Sequence, residues 1–179
     1  MRYADYAIVI EELARADASV GITVSGHISL CSNHIYEQGT EAQKQLFLQP
    51  LASGKWIGGW SLTEPNAGSD AGGTETTAVL DGEEWVITGE KWFTSAGRVA
   101  DILFVMCTNG MYVVPRNTPG VEIMPEPRNH NHIKYNDVRV PLDHLLGPED
   151  GAKVLAQRRL GGGRIHHAMR TIAQCNLAF

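Results

Sequence analysis

The sequence predicts an α+β fold: helices first, then a central antiparallel β domain arranged as a barrel or sandwich, then a closing helix. Three observations predict it. Before Trp56, apolar residues recur at three- and four-residue steps. From Trp56 to Val140 the period falls to two, with Asp81-Gly82, Gly89-Glu90 and Asn109-Gly110 at hairpin spacing. After Glu149 the helical period returns.

In the first helix, Tyr6, Val9, Ile10, Leu13 and Ala16 share one face. Gly21 and Gly26 loosen the chain before a second helix over 27–38, which Gly39 ends as a C′ glycine. Thr40 and Gln43 have capping-box spacing and open a third helix through Leu46, Phe47 and Leu51, stopped at Gly54. Strands follow at Trp56–Leu62, Thr74–Leu80, Glu84–Thr88, Lys91–Thr94, Ile102–Cys107, Met111–Val114, Val121–Met124 and Ile133–Val140. The last segment is helical on Leu155, Ile165, Met169, Ile172 and Ala173. Each of Gly161, Gly162 and Gly163 costs a helix about 1 kcal/mol relative to Ala, so the three mark a break or a close approach. The division is 1–55 helical, 56–147 β, and 148–179 helical.

A chain of 179 residues that is 43% hydrophobic can bury a real core. Its net charge of -5 argues against a nucleic-acid partner, which wants a basic surface. No apolar run approaches the roughly 18 residues of a membrane span. The start, with its apolar patch running into acids, lacks the order of a signal peptide. Cys31, Cys107 and Cys175 are far apart with no C-x-x-C pair, which points to a reduced, cytoplasmic protein without a zinc site.

The stretch 60-WSLTEPNAGSDAGG-73 passes from a strand end into a glycine-rich loop. Glycines let successive N–H groups point into one concavity, a shape that suits phosphate or a carbonyl oxygen. It is neither a Walker loop nor a Rossmann turn, since no Gly-Lys-Ser/Thr follows and strands come next. A plain turn fits it equally well. A second segment, 89-GEKWFTSAG-97, repeats the pattern: a strand with Trp92 and Thr94 that ends in small residues. Two strand ends pairing an aromatic with a threonine suit a flat aromatic ligand with a polar edge. Trp85, in mid-strand, reads as core.

These two segments resemble the acyl-CoA dehydrogenase family, as do 39-GTEAQKQLFLQPLASGKWIG-58, 137-DVRVP-141 and 145-LLGPEDG-151. The resemblance covers nearly the whole chain and implies a helical domain, a β domain and the start of a helical bundle. It also implies FAD, an acyl-CoA substrate in fatty-acid β-oxidation, electron-transfer flavoprotein as electron acceptor, and a homo-oligomer when full length. Trp60, Leu62, Thr63, Gly68 and Ser69 fall on flavin-contacting positions of the first motif, and Trp92, Phe93 and Thr94 on those of the second. It implies that Thr63 bonds the pyrimidine edge, Trp92 packs by the ring and Thr94 approaches N5. Ser69 falls beside the CoA arm, and Arg164 matches an arginine near the substrate.

Glu64 reads as a loop organiser that accepts backbone N–H bonds rather than as a catalytic carboxylate. His130 and His132 share a strand face without a metal-ligating neighbour in sequence. His27 and His34 share a helix face and suit either pocket lining or partial burial, and His166-His167 adjoins Arg164. Desaturating an acyl-CoA requires a carboxylate to take the α-proton. By resemblance that glutamate lies in the later bundle, or in a minority just before the arginine, where this chain has Gly163. The catalytic residue is therefore unknown. The chain reads as trimmed at both ends, with short connections at Asn109-Gly110 and Arg128–His132. A catalytically silent flavin- and CoA-binding module, or an oxidase or monooxygenase on the same scaffold, are the alternatives.

Overall fold

The computed structural model describes residues 3–125 and 130–179, without the side chains of His130 and residues 152–162. Helix α1 (Tyr3–Ala16) buries Tyr6, Ile10 and Ala14, a stripe with a strict four-residue step. Val9 and Ala16, expected on that face, lie off the stripe and are exposed. Asp17 caps α2 (Ala18–Ser25) by accepting the backbone N–H groups of Ser19 and Val20. Gly26 does not interrupt the chain as expected. The helix continues through a π-helical stretch, Gly26–Ser32, into α3 (Asn33–Gln38). Gly39 ends α3 at an ordinary φ of -74°. A Cβ there would lie 2.6 Å from the Ile35 carbonyl, so space rather than a left-handed turn requires the glycine.

The capping box forms as expected. Thr40 Oγ1 accepts Gln43 N–H at 3.2 Å, and Gln43 Oε1 accepts Thr40 N–H at 2.9 Å. It opens α4 (Glu41–Gln43), which runs through a π-helical Lys44–Leu48 into α5 (Gln49–Ala52). The Gln43 amide then donates to the carbonyls of Asp143 (2.7 Å) and Leu145 (2.8 Å), tying this helix to the β region.

The strands are β1 (Gly58–Ser61), β2 (Thr77–Asp81), β3 (Glu84–Ser95), β4 (Ile102–Met106), β5 (Met111–Pro115), β6 (Val121–Ile123), β7 (His130–Pro141) and β8 (Leu145–Leu146). They form two four-stranded sheets, β1-β4-β5-β8 and β2-β3-β7-β6, so the architecture is a sandwich and not a closed barrel. One pair departs from the antiparallel expectation: β1 runs parallel to β4. The intervening β2 and β3 supply the long crossover that a parallel pair needs. The turn expected at Gly89-Glu90 is absent, because both expected strands join into β3 with bulges against β7. A Cβ on Gly89 would lie 2.4 Å from Thr76 Oγ1, so this glycine serves close packing inside a strand.

β4 and β5 are buried on both faces. Leu103, Val105, Tyr112 and Val114 meet Ile87, Ile133, Tyr135 and Val138 between the sheets. Ile102, Phe104, Met106 and Val113 meet Cys31, Ile35, Phe47 and Leu51 from the helices. The result is three layers: helices, one sheet, the other sheet.

Helix α6 (Ala152–Ala178) runs unbroken through the three glycines, contrary to the expected break. Nothing lies within 4 Å of a Cβ built on Gly163, so no close approach occurs there. His166 is buried where α6 meets α1 and the first π-helical stretch. Its Nδ1 is 3.2 Å from Ser29 Oγ, which donates to Tyr6 Oη at 2.9 Å. No helix among the described residues is long and apolar enough to cross a membrane.

Candidate functional site

The two motif segments, separate in sequence, are stitched together in space. Trp92 N–H donates to the Thr63 carbonyl at 2.7 Å. Lys91 Nζ donates to the Leu62 carbonyl at 3.1 Å and to Glu64 Oε1 at 2.6 Å. Ser61 Oγ and Thr94 Oγ1 lie 3.1 Å apart. Strand β1 with its following loop thus runs alongside the second half of β3.

The Lys91–Glu64 pair is the buried centre of this junction, with side-chain exposures of 0% and 4%. Glu64 also accepts the backbone N–H groups of Glu75 (2.6 Å) and Thr76 (3.0 Å). Burial pushes its carboxyl up, but hydrogen bonds from Lys91, Thr76 and Glu75 outweigh that and hold it below the usual range. Burial likewise pulls the Lys91 ammonium down, opposed by Glu64. Glu64 therefore organises the loop and is not a free carboxylate for proton transfer.

At Trp92 and Phe93 the β3 register shifts between Lys91 and Thr94. Phe93 occupies the left-handed region at φ 56°, which costs a non-glycine residue about 1–2 kcal/mol. The extra residue turns two successive aromatics outward: Trp92 is 38% and Phe93 62% exposed, with rings edge to face at 6.0 Å. A backbone outlier holding exposed aromatic rings is the kind of strain that functional sites retain.

The bulge also shifts the alternation of β3 by one residue, which a period-two reading cannot foresee. Thr94 consequently points inward at 0% exposure, with its hydroxyl at Ser61 Oγ, which also accepts Tyr135 Oη–H at 3.1 Å. The exposed residue at this strand end is Ser95, outside the motif positions singled out in the sequence. Lys91, Ser61 and Tyr135 were passed over too, because residues that brace a site from inside look like ordinary strand positions.

In the first motif, Trp60 and Leu62 are half-buried against the helix-facing core, and the Trp60 ring lies 5.4 Å from His34 and 6.4 Å from Phe104. Thr63 is half-buried beside Trp92 N, while Gly68 and Ser69 are exposed on the loop. Arg164 is exposed on α6. His27 spans helix and strand: its Nε2 lies 3.1 Å from the Leu51 carbonyl, and its Nδ1 accepts Gly58 N–H at 3.3 Å. His130's side chain lies outside the described residues. Among those residues, no group of three or more His, Cys, Asp or Glu side chains could hold a metal ion. A cleft of about 500 Å³ is lined by Glu64, Glu75, Thr76, Glu90, Lys134 and neighbours. Its polar lining includes none of the motif aromatics.

Residues 59–138 match the family model for the acyl-CoA dehydrogenase middle domain, and residues 1–55 that for the acyl-CoA dehydrogenase N-terminal domain. The chain belongs to the acyl-CoA dehydrogenase family. It is 36% identical to a short-chain-specific acyl-CoA dehydrogenase of Clostridium acetobutylicum, over 97% of this chain and 50% of that one. Its fold matches a chain in the structure of the electron transferring flavoprotein of Acidaminococcus fermentans, with TM-score 0.92 and 33% identity. That match covers 97% of this chain and 50% of the other. It also matches an acyl-CoA dehydrogenase complexed with FAD from Bacillus anthracis, with TM-score 0.90 and 28% identity, over 97% and 32% of the two chains. The chain thus spans about half the length of the curated relative it matches.

Proposed function

We propose that this chain carries the flavin- and thioester-holding part of an acyl-CoA dehydrogenase, which desaturates the α,β bond of an acyl-CoA. The observation that carries the reading is the junction of the two motifs, where Trp92 N–H meets the Thr63 carbonyl beside two exposed aromatic rings. An exposed aromatic edge next to half-buried Thr63 and an open glycine loop fits a ring with a polar edge and a phosphate tail.

In this reading Thr63, Trp92 and Phe93 take the isoalloxazine of FAD, with Trp60 and Leu62 backing the strand. Gly68 and Ser69 hold the phosphate and pantetheine side, and Arg164 approaches the substrate. Thr94 acts from behind, by fixing Ser61 and the strand, and Ser95 presents the hydroxyl. FAD, when bound, supplies the acceptor for the hydride leaving the β-carbon. The α-proton needs a carboxylate within hydrogen-bond reach. Glu64 is committed to Lys91 and to backbone N–H groups, and Gly163 has no carboxylate. These 179 residues therefore hold reactants without completing the chemistry. The division into 1–55, 56–147 and 148–179, a cytoplasmic setting, electron-transfer flavoprotein as acceptor and a homo-oligomeric full-length protein belong to the same reading.

Titrating FAD into the chain while following its fluorescence tests this. We expect saturable binding, and weakening of about fivefold in Trp92→Ala, since one good ring contact is worth on the order of 1 kcal/mol. Equal affinity in the folded variant would overturn the assignment of Trp92. A dye-reduction assay with acyl-CoA should show no turnover, which agrees as well with a silent binding module. Robust turnover would refute the account of the base.

A further inference from the structure

Glu90 stands on the same face of β3 as Trp92, two residues before it. Its Oε1 accepts the Trp92 indole Nε1–H at 2.7 Å, and the same oxygen lies 2.8 Å from His132 Nε2 on the neighbouring strand β7. The His132 and Trp92 rings are 5.8 Å apart and tilted by 58°. One carboxylate oxygen thus touches both rings that flank the bulge. Glu90 and His132 are only part-exposed, at 33% and 17% of their side chains.

The Trp92 indole, 38% exposed, keeps an edge open to solvent beside a strained bulge, so its rotamer needs a fixing contact. A charge-assisted bond to the indole N–H is such a contact. We propose that Glu90 is a positioning residue that sets the Trp92 indole at the ring site. This rests on the reading of the Trp92 edge as a flavin site. It adds that the edge is preformed before any ligand arrives, so less ordering is required on binding.

The test separates the clamp from the flavin. In the chain without FAD, two-dimensional ¹⁵N–¹H spectra resolve the tryptophan indole N–H signals, and Trp92→Phe assigns the one from Trp92. Glu90→Ala should move that signal upfield and raise the Trp92 quenching constant with acrylamide by about twofold. Glu90→Gln keeps an acceptor oxygen and should restore most of both. An unmoved indole signal in folded Glu90→Ala overturns the proposal whether or not FAD binds. If the clamp is real, FAD affinity should fall about three- to tenfold in Glu90→Ala and recover in Glu90→Gln. Absence of FAD binding by the parent chain, with the indole shift intact, would instead sink the flavin reading alone.

Discussion

Lys91 and Glu64 show how a single pair positions the site without touching a ligand. Their contacts reach the Leu62 carbonyl, Glu75 N and Thr76 N, so three stretches of chain converge on one buried ion pair. Removing one partner leaves a buried charge uncompensated. Lys91→Met or Glu64→Gln alone should cost about 3–5 kcal/mol in urea unfolding, while the double variant should cost clearly less than the sum. Additive losses would show that the charges act independently. The pair also sets an acid limit. Glu64's carboxyl is held below its ordinary 4.5, so its contribution to stability is present above that value. It is lost as pH falls through the lower, folded-state pKa. The acid unfolding midpoint should therefore move in Glu64→Gln relative to the parent. Phe93 separates stability from binding. Because it is exposed and sits at positive φ, Phe93→Gly should leave unfolding free energy within about 1 kcal/mol of the parent, as relieved strain offsets glycine's entropy. FAD binding should weaken nonetheless.

The elements were legible in the sequence to the extent that local signals agreed with tertiary packing. The capping box at Thr40–Gln43 forms as its spacing predicts. What spacing could not reveal is that the Gln43 amide also bonds the Asp143 and Leu145 carbonyls, a hundred residues onward. Thr40→Ala should accordingly cost about 1 kcal/mol and Gln43→Ala about 2–4, because the latter strands two carbonyls as well as the cap. Thermal or urea melts distinguish the two. The Gly89-Glu90 turn was misread because the same dipeptide serves a hairpin or a bulge, and only the approach of Thr76 selects between them. The three glycines of α6, expected to mark a break or a close approach, lie inside one helix, because helix propensity is weaker than the packing of α6 on α1, which His166 and Gln174 anchor. The strand carrying the motif aromatics was legible, yet the in–out order of Thr94 and Ser95 was not, since a one-residue bulge inverts it.

At the scale of the molecule, helices, one sheet and a second sheet stack so that β4 and β5 are covered on both faces. That rigid centre holds β1 in parallel with β4 and leaves the Thr63 and Trp92 segments to meet beyond it. In the proposed function these two segments form one flavin-holding edge. Hydrogen–deuterium exchange of the chain with and without saturating FAD tests it directly. Slowing of exchange should concentrate jointly in residues 60–70 and 90–97, with little change in α1 or in the β2 hairpin. Saturable FAD binding that protects other segments and leaves both of these unchanged would contradict it.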